Sequence, residues 1–166
     1  YSVMSGTSMA TPHVAGASAL AAQRLDDDPL FSGITLEEKS GLVKTLLMNT
    51  AVPYKDSRGL YYDTRQQGAG LINVARALES PVVVTDTATG EPKVELFDFN
   101  TAYFDVGLTL KNYSNTDRIF KTDSILLTDD YVSDGKGHFT AAERTQAVSH
   151  TTSGPRQVIV PANGSI

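Results

Sequence analysis

Gly6-Thr7-Ser8-Met9-Ala10-Thr11-Pro12-His13-Val14-Ala15-Gly16 stands almost at the start of the chain, and the reading of everything after it depends on it. A small serine sits between small residues just ahead of a helical pattern, which is how a nucleophile is displayed. Gly6 lets the backbone turn tightly. Ser8 then lands at a helix N-terminus, where unpaired backbone N–H groups and the helix dipole favour developing negative charge. The plainer reading of a serine in that place is an N-cap.

Outward from this string, residues 14–25 are rich in Ala, with Val14, Leu20 and Leu25 spaced among them. Ala and Leu favour helix. Small residues nearly all round predict a buried helix closely approached by neighbours. Gly16 weakens such a helix by about 1 kcal/mol relative to Ala, so its missing side chain is expected to permit close packing. Local rules would cap this helix at Thr11 and start it at Pro12. A start near Ser8 puts Pro12 inside the first turns and forfeits one backbone hydrogen bond. Asp26-Asp27-Asp28-Pro29 ends the helix, and its three carboxylates fit either a solvated turn or oxygen ligands for Ca²⁺.

A second helix is signalled by the capping box Thr35-Leu36-Glu37-Glu38. Leu42, Val43, Leu46 and Leu47 follow at helical spacing, and Asn49-Thr50-Ala51-Val52-Pro53 stops it. Residues 56–67 are polar and tyrosine-bearing and read as a surface loop. Gly68 and Gly70 lead into a short helix capped by Asn73 and ending near Leu78.

Ser80-Pro81 is the expected domain boundary, because the apolar period then changes to two. Val94 and Leu96 flank Glu95. Phe104, Val106, Leu108 and Leu110 alternate with Asp105, Gly107, Thr109 and Lys111, the pattern of a half-buried strand. Residues 112–117 carry turn chemistry. Residues 119–128 read as another strand, Asp134-Gly135-Lys136-Gly137 as a turn, and residues 157–160 as a strand ended by Pro161. Several short strands with frequent turns predict an antiparallel sandwich.

The opening string resembles the serine motif of the subtilases, the subtilisin-like serine peptidases. Leu46-Leu47-Met48-Asn49-Thr50-Ala51 and Gln67-Gly68-Ala69-Gly70-Leu71-Ile72-Asn73-Val74-Ala75-Arg76-Ala77-Leu78 resemble the last two helical segments of their catalytic domain. The resemblance implies that Ser8 is the nucleophile of a peptidase, within an active-site loop of Gly6, Thr7 and Ser8. It also starts the first helix near Ser8, and that start is the one expected here. The part after Pro81 resembles the fibronectin-III-like module that follows the catalytic domain in Gram-positive cell-envelope subtilases. The matching fragments are Lys93-Val94-Glu95-Leu96, Leu110-Lys111-Asn112-Tyr113-Ser114, Leu127-Thr128-Asp129-Asp130 and Val158-Ile159-Val160-Pro161-Ala162-Asn163-Gly164-Ser165. The expected fold is therefore the C-terminal helical portion of an α/β subtilisin-like domain over residues 1–80. An all-β fibronectin-III or immunoglobulin-like sandwich is expected over 81–166, shorter than the roughly 100 residues such a sandwich needs.

A chain of 166 residues holds one or two domains. Its net charge of −5 comes without a Lys/Arg cluster, which argues against nucleic acid and anionic membrane surfaces as partners. No apolar run approaches the roughly 20 residues of a membrane span, and no signal segment stands at the N-terminus. With no cysteine, disulfides, thiolate metal sites and a cysteine nucleophile are excluded. Starting at Tyr1 without Met, the chain reads as a piece of something longer.

A serine hydroxyl needs a base within hydrogen-bond reach, itself oriented by a carboxylate. In subtilases the order is Asp, His, Ser, and the Asp-Ser/Thr-Gly and His-Gly-Thr motifs do not occur here, nor does that of the oxyanion-hole asparagine. His13, five residues on from Ser8, would point about 140° away on a helix. It is expected to be packed and hydrogen-bonded, and His138 and His150 to be surface residues. The resemblance implies an extracellular serine endopeptidase, secreted or cell-wall attached, acting on protein or peptide substrates. This chain would be inactive without the upstream remainder of the catalytic domain. No cofactor or metal is expected in this stretch, with calcium open for an intact parent. Two other readings stand beside it. One is a non-catalytic spacer or exosite fragment. The other is an α/β-hydrolase esterase using His138 or His150 as base, against which Ala10 stands where that motif wants glycine.

Overall fold

The computed structural model of the protein describes residues 3–96, 101–128, 131–142 and 144–166. Tyr1 and the Asp129-Asp130 fragment of the downstream resemblance lie outside these residues. The helices are α1 (Thr7–Asp27), α2 (Leu36–Asn49), α3 (Thr64–Gln67) and α4 (Val74–Glu79). The strands are β1 (Tyr61–Tyr62), β2 (Val82–Asp86), β3 (Leu108–Asn112), β4 (Arg118–Lys121), β5 (Leu126–Leu127), β6 (Tyr131–Ser133), β7 (Phe139–Ala141), β8 (Arg144–Thr145), β9 (Ala147–Val148) and β10 (Gln157–Val160). They form two-stranded sheets, β4 pairing with β10. The chain gathers into two compact units, one of residues up to 50, 72–119 and 159–166, the other of residues 51–71 and 120–158. No helix among the described residues is long and apolar enough to cross a membrane.

In the first unit, α1 begins at Thr7, five residues before Pro12. The local capping rule fails because Gly6 makes the turn, at a φ of 147° that disfavours any side chain. Its carbonyl accepts from the N–H groups of Met9 (3.0 Å) and Ala10 (3.1 Å). Thr11 does not cap; its hydroxyl donates back to the Thr7 carbonyl at 2.8 Å. Ala17, Ala21 and Leu25, four residues apart, are the buried stripe of α1, which packs on α2 and α4. Expected to be a buried helix closely approached by neighbours, α1 is fully buried along that stripe only.

The predicted capping box opens α2. The Glu38 N–H donates to Thr35 Oγ1 (3.3 Å), and the Thr35 N–H donates to Glu38 Oε2 (2.9 Å). That backbone N–H first, and the Thr35 hydroxyl second, hold the Glu38 carboxyl below the usual carboxylate range. A Thr35→Ala variant is expected to lose about 1 kcal/mol in urea unfolding. The Glu38 contribution is complete above the unfolded-state pKa and is lost as pH falls through the lower folded value. Comparing Glu38→Gln with the parent at neutral and at acid pH therefore reads a gap that closes on acidification.

Phe31 and Leu25 are fully buried beside Leu42, Leu46, Leu47, Ala77 and Val83. The Phe31 ring meets Tyr113 at 5.1 Å and lies 4.9 Å from the Arg24 guanidinium. Arg24 also donates to the carbonyls of Ala77 (3.0 Å) and Ser80 (2.8 Å), satisfying acceptors that the end of α4 leaves unpaired. β2 and β3 run antiparallel, Val84 opposite Leu110. The other edge of β3 takes the C-terminal segment, with Leu110 and Ile166 exchanging bonds of 3.0 and 3.1 Å. Outside β2, the Asn49 amide donates to the Val84 carbonyl (3.0 Å) and accepts from the Val84 N–H (2.6 Å). Asn112 is buried and satisfied: its Nδ2 donates to Thr116 (2.8 Å) and Pro161 (3.1 Å) carbonyls, and its Oδ1 accepts from the Ser114 N–H (2.9 Å).

The strand expected from Phe104 starts only at Leu108, because its partner β2 ends at Asp86. There Asp86 Oδ2 accepts from the Thr89 N–H (3.0 Å) and turns the chain away. Residues 94–96 form no strand; alternation without a neighbouring ladder does not make one. The strand expected over 119–128 is split into β4 and β5, with Asp123 Oδ1 taking the Ser124 N–H (2.8 Å) in the break.

The second unit is held differently. Every buried apolar residue among those described lies in the first unit, whereas Asp63 and Thr145 are buried in the second. The loop expected at 56–67 contains β1 and α3. Asp63 caps α3 through the Arg65 N–H (2.7 Å), and Gln67 reaches back to the Tyr62 carbonyl (2.6 Å) and the Tyr54 N–H (2.7 Å). β1 pairs with β8, placing Arg144 opposite Tyr62, with the guanidinium 3.4 Å from the ring centroid. Val52 and Leu71 exchange two bonds of 2.9 Å. Gly70 allows that approach, since a Cβ there would lie 2.4 Å from the Val52 carbonyl oxygen. Antiparallel pairs β5–β9 and β6–β7 complete the unit.

Candidate active site

Ser8 is the exposed second residue of α1. The helix is 21 residues long, about 31 Å at 1.5 Å per residue, so its full dipole ends at this serine. Because the first intrahelical bonds leave from Met9 and Ala10, the N–H groups of Thr7 and Ser8 have no protein acceptor among the described residues. Pro12 adds to the local polarity. The carbonyl four residues before it is that of Ser8, so the one helical bond proline removes is lost there. Gly6, Thr7 and Ser8 thus form an exposed helix entrance with free donors, a geometry suited to a developing oxyanion.

No base reaches Ser8 among the described residues. His13 is hydrogen-bonded as expected, Nδ1 to the Met9 carbonyl at 2.7 Å, but it is exposed and not packed. It continues the stripe of Ala17, Ala21 and Leu25 by one more step of four, beyond the point where the neighbouring helices cover it. His138 is a surface residue paired with Asp134 Oδ2 (2.8 Å). Asp134 is held below the usual carboxylate range by the Lys136 N–H first and the His138 ring second. His150 is also exposed, its Nε2 lying 2.7 Å from Ser124 Oγ. Sequence reading did not single out Ser124; its partner is 26 residues away, with no local pattern to join them.

Two of the three aspartates at the end of α1 are engaged separately. Asp26 pairs with Lys39 (2.8 Å), and Asp28 accepts from the Leu30 N–H (3.0 Å) and lies 3.5 Å from Arg24. Among the described residues, no group of three or more His, Cys, Asp or Glu gathers as metal ligands would.

Residues 1–77 match the profile of the subtilase family. Over 172 aligned positions, 99% of this chain, the sequence is 30% identical to a protein named C5a peptidase from Streptococcus pyogenes serotype M6. Over 134 positions, 75% of the chain, it is 34% identical to a PII-type proteinase of Lacticaseibacillus paracasei and to a PI-type proteinase of Lactococcus lactis subsp. cremoris. The chain spans 14% of the length of the first of these relatives and 7% of the second. With the serine motif displayed at the entrance of α1, these matches show residues 1–77 to belong to the subtilase family.

Proposed function

We propose that this chain is the nucleophile-bearing end of an extracellular serine endopeptidase, residues 1–80 closing its catalytic domain and residues 81–166 beginning a fibronectin-III-like module. The observation that carries this reading is Ser8, exposed at the tip of a long helix with the N–H groups of Thr7 and Ser8 unpaired. Its Oγ attacks a peptide carbonyl while a histidine from the preceding part of the domain takes the proton. The tetrahedral oxyanion meets the Ser8 N–H and the helix end, and water then releases the acyl group. Without that histidine and its aspartate the 166 residues alone do not turn over substrate.

Exposed apolar residues of α1 support the same reading. Val14 and Leu20 are 42% and 48% exposed, which suits cover by the remainder of the catalytic domain. The test is a serine-directed fluorophosphonate applied to a longer protein that includes the preceding segment. Label is expected at Ser8 alone, and the 166-residue chain should take none at that position. Label elsewhere in the longer protein, with Ser8 free, would sink the assignment.

A further inference from the structure

We propose that Ser124 and His150 form a second nucleophilic centre, which takes an acyl group from activated esters and is independent of Ser8. The two residues lie in the second unit, and their side chains meet at 2.7 Å, Ser124 Oγ to His150 Nε2. The other ring nitrogen settles the direction of that bond. Nδ1 lies 3.0 Å from the Val148 carbonyl oxygen, which can only accept, so Nδ1 carries the proton. In the neutral ring Nε2 is then bare, and the Ser124 hydroxyl donates to it. A nucleophile bonded to a base, with the base oriented by a third group, is the arrangement that activates serine. Here a backbone carbonyl takes the orienting place that a carboxylate holds in a triad. Both side chains are exposed, so an incoming ester meets no barrier.

The surroundings restrict the substrate. The Ser124 N–H is engaged by Asp123 Oδ1 at 2.8 Å, so the donor that would stabilise an oxyanion is taken. What remains is general-base assistance, worth about 10²–10⁴-fold. That is too little for a peptide bond and enough for an ester whose leaving group departs readily. Ser124 Oγ forms a bond to the ester carbonyl carbon as Nε2 takes the hydroxyl proton. The bond from that carbon to the leaving oxygen then breaks. The imidazolium returns the proton to the leaving group or to water, giving acyl-Ser124 and the free alcohol or phenol.

The test uses the 166-residue chain with p-nitrophenyl acetate. Peptide mass spectrometry locates acetyl groups, and hydroxylamine separates serine esters from lysine amides. We expect the Ser124 ester to form at least tenfold faster than that on any other serine. His150→Gln should slow it about 10²-fold or more, with the far-ultraviolet circular dichroism unchanged because both residues are exposed. Ser124→Ala should remove both the ester and the extra p-nitrophenolate release. Acetylation spread evenly over the serines would overturn the proposal. So would a Ser124 ester indifferent to His150→Gln, or release that persists in Ser124→Ala and is lost in His150→Gln, which would mean the imidazole acts alone. None of these outcomes bears on Ser8, whose assignment is read with a different reagent on a longer protein.

Discussion

Joined to the preceding part of the catalytic domain, a Ser8→Ala variant is expected to lose about 10⁶-fold in kcat, the scale on which removal of a triad nucleophile acts. KM should change little, since the hydroxyl contributes mainly once bond formation has begun. A residue of activity should survive, because donors at the helix entrance and substrate binding act without the nucleophile. The prediction rests on geometry already present in the isolated chain: Ser8 sits at the second position of α1, and Pro12 removes the helical bond from the Ser8 carbonyl. Initial-rate measurements on a peptide substrate decide it. A variant within tenfold of the parent would mean that Ser8 is only a residue at a helix start.

Phe31→Ala is expected to cost about 3–5 kcal/mol, measured by urea unfolding of the 166-residue chain at 222 nm. Phe31 is fully buried, in tilted ring contact with Tyr113 and covered by Arg24. Its removal leaves a cavity among Leu25, Leu42 and Leu46, and also takes away the surface over which Arg24 lies while bonding the end of α4. A typical domain has only about 5–15 kcal/mol of stability to lose, so the first unit should open at much lower urea. Phe31→Leu keeps most of the volume and should cost less than about 1.5 kcal/mol. A Phe31→Ala loss under about 1 kcal/mol would show that the other apolar residues hold this core by themselves.

What could be read from the sequence was local. The Thr35 capping box, the Asn73 cap and the strand over Gln157–Val160 ahead of Pro161 each lie within a few residues and stand where expected. Ser8 at the helix entrance was legible for the same reason, once the family resemblance had overridden the Thr11-Pro12 signal. What could not be read depended on partners distant in sequence. Alternation at Phe104 and Val106 looks like strand until β2 turns away at Asp86. The polar run at 56–67 looks like loop until Gln67 and Arg144 close on Tyr62. His13 sits on the buried stripe of α1, and nothing local says where the covering helices stop.

The bonds between Asn49 and Val84 have a consequence for how the molecule keeps to itself. A side-chain carboxamide has the same donor and acceptor as a peptide unit, so Asn49 imitates one residue of an absent strand. A foreign chain sliding along that border of β2 finds the middle rung already filled, which blunts the border as a template for intermolecular pairing.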